Sequence, residues 1–437
     1  MEMNDMVLVS VDDHNIEPPD AFLRHFPETR RNEAPKIVNL NGKDVWTFKG
    51  RFHPTVGSNA VVGRPLDEYG LEPDSFSQMR KGCYDAKARI DDMNVNGVLG
   101  SVNFPTFPQF AGGTFFSDPD ELAQLAIQAY NDWHVHDWCA AAPGRLIPCA
   151  ILPLWDMDAT LKEVKRISDL GVHAISFPDN PTQVNMPSIH NDYWEPLWKS
   201  FVDHDILINC HIGSGGHAPH ASDETPISAW ITTMPISIVN AAADWLYAPM
   251  WKKYPELKMA LSEGGIGWIP YFLERANFTN ERHSQWTNVD FGGEKPSEVF
   301  DRHFLTCFLD DEAGLELLHR MNEDHVTWEC DYPHSDTLWP NCPERLRDTM
   351  AGLTDAQIDK ITHQNALKAF RADLIETMGG RQNCTVKALR KLGKDVDVSP
   401  REGLGGARPQ GTGGPGRDDR KMVTSGDMVR LMTEALN

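Results

Sequence analysis

Short apolar runs rich in β-branched residues alternate with longer stretches of helical periodicity along most of the chain. The runs predict strands at Val7–Val11, Gly97–Val102, Leu146–Leu152, His173–Phe177, Ile206–Cys210, Lys258–Leu261, Phe304–Phe308 and Val326–Glu329. Between them, Asp85–Met93, Pro119–Ala141, Asp158–Leu170, Tyr193–Asp203, Pro235–Lys253 and Glu312–Met321 carry helical spacing. Buried strands joined by helices run parallel, and eight of them are the number that closes a (β/α)8 TIM barrel. A doubly wound sheet is the alternative, but no GxGxxG or GxxxxGK[ST] follows an early strand.

Two segments depart from this rhythm. After the first strand, an insertion over about residues 18–83 contains Lys36–His53, whose alternation around Asn41-Gly42 predicts a β-hairpin. A long excursion from a βα loop belongs at the catalytic mouth of a barrel. At the other end, residues 399–420 are rich in Gly, Pro and Arg and offer almost nothing to bury, so they are expected to form a disordered linker. Met422–Leu436 then returns to helical spacing and predicts a short helix, which could dock on the barrel or on a second copy in a homo-oligomer. The organisation expected is therefore one barrel over 1–380 and an extension over 381–437.

Composition narrows the partners more than the fold. The 437 residues carry 41 Lys and Arg against 63 Asp and Glu, a formal charge of −22. That balance argues against nucleic acid and against an anionic membrane, and leaves a small-molecule substrate. The N-terminus lacks a basic, apolar leader and no apolar run is long enough to span a bilayer, so a cytoplasmic location is expected. The eight cysteines are scattered with no CxxC, which suits reduced core thiols.

The candidate chemistry sits at strand ends. VSVDDH offers Asp12 and His14, LINCH offers His211, MALSE offers Glu263 and TWECD offers Asp331. Side chains alternate along a strand, so Asp12 and His14 share one face while Asp13 takes the other. Each residue alone could be a turn former or a helix cap. Strand C-termini converge at one mouth of a barrel, however, and five ligand-type groups gathered there point to a metal centre.

These motifs resemble the amidohydrolase superfamily, in particular the branch of aminocarboxymuconate semialdehyde decarboxylase and γ-resorcylate decarboxylase. The matching stretches are VDDHNIEPP (11–19), ISFPDNP (175–181), LINCHIGSGG (207–216), LSEGGIGWIPYFLERAN (261–277), WECDYPHSDTLWP (328–340) and ITHQNALKAF (361–370). The resemblance implies that Asp12, His14, His211 and Asp331 hold the metal. Two departures stand out: Glu263 replaces the histidine those decarboxylases carry after strand six, and HAISFPDN on strand four lacks the lysine that bridges two metals in many hydrolases.

Three carboxylates, Asp12, Glu263 and Asp331, exceed the charge of one divalent ion, so one or two ions of Zn, Mn or Fe are compatible with the set. The leading expectation is a hydrolase of an apolar or aromatic acid, amide or ester, using metal-activated water with Asp331 as base. A non-heme diiron monooxygenase of terpenoid-type substrates and a non-oxidative decarboxylase are the alternatives. Glu263 and His334 are further catalytic candidates, and Trp268, Trp339 and Glu17 are expected to contact substrate.

Overall fold

The structure is a computed structural model of the chain and describes residues 1–53, 56–216, 219–407 and 421–434. Strand β1 (Leu8–His14) is fully buried, as an axial strand of a barrel must be. Three strands of the insertion follow: β2 (Lys36–Leu40), β3 (Lys43–Phe48) and β4 (Arg51–His53). The remaining barrel strands are β5 (Val98–Phe104), β6 (Leu146–Ile147), β7 (Ala174–Ser176), β8 (Leu207–His211), β9 (Met259–Ser262), β10 (Phe304–Phe308) and β11 (Val326–Trp328).

Parallel pairing runs in the order β1-β5-β6 and β7-β8-β9-β10-β11. A parallel bridge between Ala150 and Ile175 joins β6 to β7. On the other side, the Asp331 amide donates to the Asp12 carbonyl at 2.9 Å and the His14 amide to the Tyr332 carbonyl at 2.7 Å, joining the ends of β11 and β1. The result is a (β/α)8 barrel with its strands in sequence order. Helices such as Ala86–Asn96, Glu121–Trp133 and Met157–Asp169 start on side-chain caps from Asp85, Asp120 and Asp156. The third predicted strand is the least regular, with ladder pairing only at Leu146–Ile147 before the bridge at Ala150.

The predicted hairpin forms. Leu40 pairs with Lys43 across Asn41-Gly42, both at positive φ (54° and 87°), as a two-residue primed turn requires. A second such turn at Lys49-Gly50 adds β4. Trp46 from β3 is buried and stacks on Phe107 at 4.5 Å, which fixes this small sheet to the loop after β5.

The expectation of a disordered linker over 399–420 fails for its described part. Ala407 and Glu72 form an antiparallel bridge, with amide-to-carbonyl distances of 3.1 and 2.8 Å. The Arg401 amide donates to Gly63, the Gly403 amide to Glu68 Oε1, and Arg64 Nη1 to the Gly405 carbonyl. Nearly all of this docking uses backbone groups, which a reading based on apolar burial does not detect. Residues 408–420 lie outside the described residues. The terminal helix spans Ser425–Glu434, and its start pairs with Thr225 and Pro226 in the segment after β8; Leu436 lies outside the described residues. No helix among the described residues is long and apolar enough to cross a membrane.

Two buried histidines make stability depend on pH. Burial holds His134 down to about 3 and His303 down to about 4, so both are neutral in the folded chain. The unfolded chain binds these protons near pH 6.5. Their contribution is therefore complete above that value and declines as pH falls towards the folded values. His303 donates through Nδ1 to the Leu257 carbonyl at 2.7 Å, a bond that glutamine can imitate. His303→Gln should show a stability difference from wild type that is constant above pH 7 and shrinks between about pH 6.5 and 4.5. Urea midpoints across that range measure it, and parallel curves would contradict it.

Candidate metal centre

The ends of β1, β8, β9 and β11 meet at the same mouth and bring the five strand-end residues together. His14 Nε2 lies 3.5 Å from Asp12 Oδ1, 3.4 Å from Asp331 Oδ1 and 3.3 Å from His211 Nε2. His211 Nε2 is 3.6 Å from Asp12 Oδ2 and 2.8 Å from Glu263 Oε2. His334 joins from the loop after β11, with Nδ1 2.8 Å from Asp331 Oδ1 and its ring stacked on His14 at 3.9 Å.

Backbone geometry aims these groups. Glu263, directly after β9, and Asp331, three residues past β11, both adopt left-handed φ values, 60° and 53°. Such a conformation costs a non-glycine residue roughly 1–3 kcal/mol and persists only where surrounding structure enforces it. At Asp331 the enforcement is visible in the cross-strand bonds to β1 described above. The Nδ1 of His211 is 2.6 Å from its neighbour Ile212's carbonyl and donates there, which turns Nε2 towards the cluster.

Asp13 points away, as strand alternation requires. Its Oδ1 accepts from Ser10 Oγ at 2.9 Å and its Oδ2 faces Arg89 Nη1 at 3.7 Å. Arg89 is fully buried, donates to the Gly82 carbonyl at 2.8 Å and to the His14 carbonyl, and lies over Tyr332 at 4.1 Å. This guanidinium is a strut beneath β1, bonded through Nε and Nη2 and facing Asp13 with Nη1. Arg80 is occupied too, by Asp92 at 2.8 and 2.6 Å and by the Trp339 ring at 4.2 Å.

The cluster fits a divalent cation. Ligands about 2.1 Å from an ion at tetrahedral angles stand about 3.4 Å apart. The four contacts that link Asp12, His14, His211 and Asp331 measure 3.3 to 3.6 Å. Both Asp12 oxygens and Asp331 Oδ2 are buried without a hydrogen-bond partner, an arrangement that is costly for an ionised carboxylate. Burial, with the charges of Glu263 and Glu329, pushes Asp12 and Asp331 well above the usual carboxylate range. Burial opposes protonation of His211, yet Asp12 and Glu263 outweigh it and push that group up to about 9. A cation in this cluster would relieve the same excess of negative charge.

Two ligand groupings can be drawn, Asp12–His14–His211 and His14–Asp331–His334. Both include His14, so among the described residues the two groupings are not independent.

Several expected substrate contacts have other work. Glu17 is fully buried, and its carboxylate accepts from the Thr106 amide at 3.0 Å, the Phe107 amide at 2.8 Å and Asn15 Nδ2 at 3.1 Å. It anchors the loop after β5. Trp339 is 7% exposed and donates to the Asp92 carbonyl at 3.0 Å. Trp268 is half-buried, donates to the carbonyls of Gly264 and Gly265 at 3.1 and 3.0 Å, and packs on Phe272. It thus holds the turn that carries Glu263.

Two neighbours of the cluster escaped the sequence reading. Glu329 is buried, accepts from the Glu263 amide at 3.1 Å and from Cys307 Sγ at 2.6 Å, and is pushed up to about 7 by burial. Its position two residues before Asp331 was the available signal. Phe110 lies with its ring 4.2 Å from that of His211, and nothing in PTFPQFAGG marks it.

A family model described as amidohydrolase matches residues 42–372. The chain is similar to a 2-amino-3-carboxymuconate-6-semialdehyde decarboxylase of Dictyostelium discoideum, 24% identical over 307 residues, covering 68% of this chain and 80% of that one. Among solved structures, an amidohydrolase of Mycobacterium avium subsp. paratuberculosis superposes with a TM-score of 0.66 at 18% identity, over 84% of this chain and 99% of that one. A dihydroxybenzoic acid decarboxylase of Polaromonas, solved with manganese and the inhibitor 2-nitroresorcinol, gives a TM-score of 0.53 at 16% identity, over 84% and 97%.

Proposed function

The chain belongs to the amidohydrolase family, and from that premise we propose that it is a metal-dependent, non-oxidative decarboxylase of aromatic carboxylic acids. The observation that supports this reading is that His14 Nε2 lies 3.3 to 3.5 Å from Asp12, His211 and Asp331 and is shared by both candidate groupings. Hydrolysis, the leading expectation from sequence, gives way because the similar proteins include a 2-amino-3-carboxymuconate-6-semialdehyde decarboxylase and a dihydroxybenzoic acid decarboxylase. The lysine of dinuclear hydrolases is also missing from β7, which reads Ala174–Ser176.

A divalent ion held by Asp12, His14, His211 and Asp331 would supply positive charge that fixes a substrate carboxylate and an adjacent oxygen. The chain's own residues do the rest. Arg80 and Arg89 are each paired with a carboxylate of the chain, Asp92 and Asp13, so the substrate carboxylate takes its counter-charge from an ion at the ligand cluster. Glu263, 19% exposed on its side chain, accepts a hydrogen bond from a hydroxyl or amino group beside that carboxylate. When the carbon–carbon bond breaks, its electron pair stays on the ring carbon and carbon dioxide departs. The pair formed by Asp331 and His334, 2.8 Å apart, returns a proton to that carbon.

The test is turnover of Mn-loaded protein without oxygen on a panel of aromatic acids bearing an ortho hydroxyl or amino group. One carbon dioxide per ring product is expected. Turnover that requires oxygen would replace this reading with the monooxygenase, and cleavage of esters or amides alone would replace it with the hydrolase.

A further inference from the structure

Phe110 touches the ligand cluster but has no part in the chemistry above. Its ring centroid lies 4.2 Å from that of His211, 4.9 Å from His14 and 6.3 Å from His334. The three histidines are buried, whereas Phe110 is only half-buried, so it forms the apolar cover between their rings and the outside.

The loop that carries it is built to hold that position. Glu17 fixes the Thr106 and Phe107 amides, and Thr106 Oγ1 donates to the Asn15 carbonyl at 2.8 Å. Phe107 stacks on Trp46, and its carbonyl accepts from Thr114 Oγ1 at 2.7 Å. Gln109 and Gly112 then take left-handed φ values of 58° and 89°, which turn the chain back on either side of Phe110. A buried carboxylate, an aromatic stack and a tight reversal thus converge on placing one phenyl ring over the histidines. That ring can neither ligate an ion nor move a proton. What it can offer is a flat apolar face, and such faces favour offset or edge-on contact with a second ring.

We infer that Phe110 is a specificity-determining residue that packs against the ring of a planar aromatic carboxylate held at the cluster. This rests on the function proposed above and deepens it, by selecting planar aromatic acids over saturated ones.

The experiment measures binding, so it does not depend on turnover. Salicylate and its saturated counterpart, 2-hydroxycyclohexanecarboxylate, are titrated by calorimetry into the full chain loaded with manganese. Wild type is expected to prefer salicylate. Phe110→Ala should weaken salicylate about tenfold and the saturated acid about twofold or less, the size expected for loss of one aromatic pair. Phe110→Tyr should restore the preference, and metal content should stay unchanged in all three proteins. Equal losses for both acids, an unchanged preference, or wild type that binds neither acid would overturn the assignment. So would loss of the ion in both Phe110→Ala and Phe110→Leu, since the ring would then serve only to shield the cluster. If wild type binds salicylate with this preference yet releases no carbon dioxide from any acid, the proposed reaction fails while the role of Phe110 stands.

Discussion

Asp331→Asn should release the bound ion and lower carbon dioxide production by at least about 10³-fold, because it removes an anionic ligand and half of a proton-transfer pair. Asparagine matches aspartate in shape and tolerates left-handed backbone well, so the φ of 53° is kept. The change should therefore leave the fold intact. In metal-free protein it should even raise the melting temperature, since Asp331 is buried, and burial with the charges of Glu263, Asp336 and Glu329 already disfavours its ionised form. Three readings on one variant follow: metal stoichiometry near zero, activity near background and unimpaired thermal stability. A variant that keeps its ion and its activity would remove Asp331 from the centre. One that loses activity only by unfolding would make it structural.

Arg89→Met should have the largest effect on stability, a loss of about 3–5 kcal/mol, with loss of metal following from it. The guanidinium is fully buried and serves Asp13, the Gly82 carbonyl and the His14 carbonyl at once. Methionine fills the volume but leaves a buried carboxylate without its counter-charge, on the residue between two proposed ligands. Burial already lifts Asp13 to about 6 with Arg89 present, so its ionised form has little reserve. Adding Asp13→Asn to Arg89→Met should recover part of the loss, because the stranded charge is then gone. Denaturant unfolding of the four proteins in this cycle gives the coupling. If the double variant is as unstable as the sum of the singles, Arg89 acts through packing on Tyr332 and Trp138 instead.

The barrel and the convergence of these strand-end side chains were legible in the sequence because both follow from short-range periodicity. Alternation alone separates Asp12 and His14 from Asp13, and the ends of buried runs locate His211, Glu263 and Asp331. The Asn41-Gly42 hairpin was legible for the same reason, since two adjacent positive φ values favour that pair. What stayed hidden depends on contacts between distant segments. Glu17 looks like a rim carboxylate until Thr106 and Phe107, about ninety residues on, are seen to donate to it. Trp339 reads as a pocket wall until Asp92 and Arg80 enclose it. Residues 399–407 look unstructured because they dock through their own backbone groups, on Gly63, Glu72, Glu68 and Arg64, and backbone groups carry no sequence pattern. Phe110 is one phenylalanine among 19, and only the fold sets it on the histidines.

Anomalous diffraction from crystals of the manganese-loaded protein tests the central claim most directly. The account predicts one peak per chain, about 2.0–2.2 Å from one oxygen each of Asp12 and Asp331 and from Nε2 of His14 and His211. Glu263 should lie beside the ion without bridging it. Two peaks bridged by Glu263, or a single peak elsewhere with these four residues unligated, would contradict it.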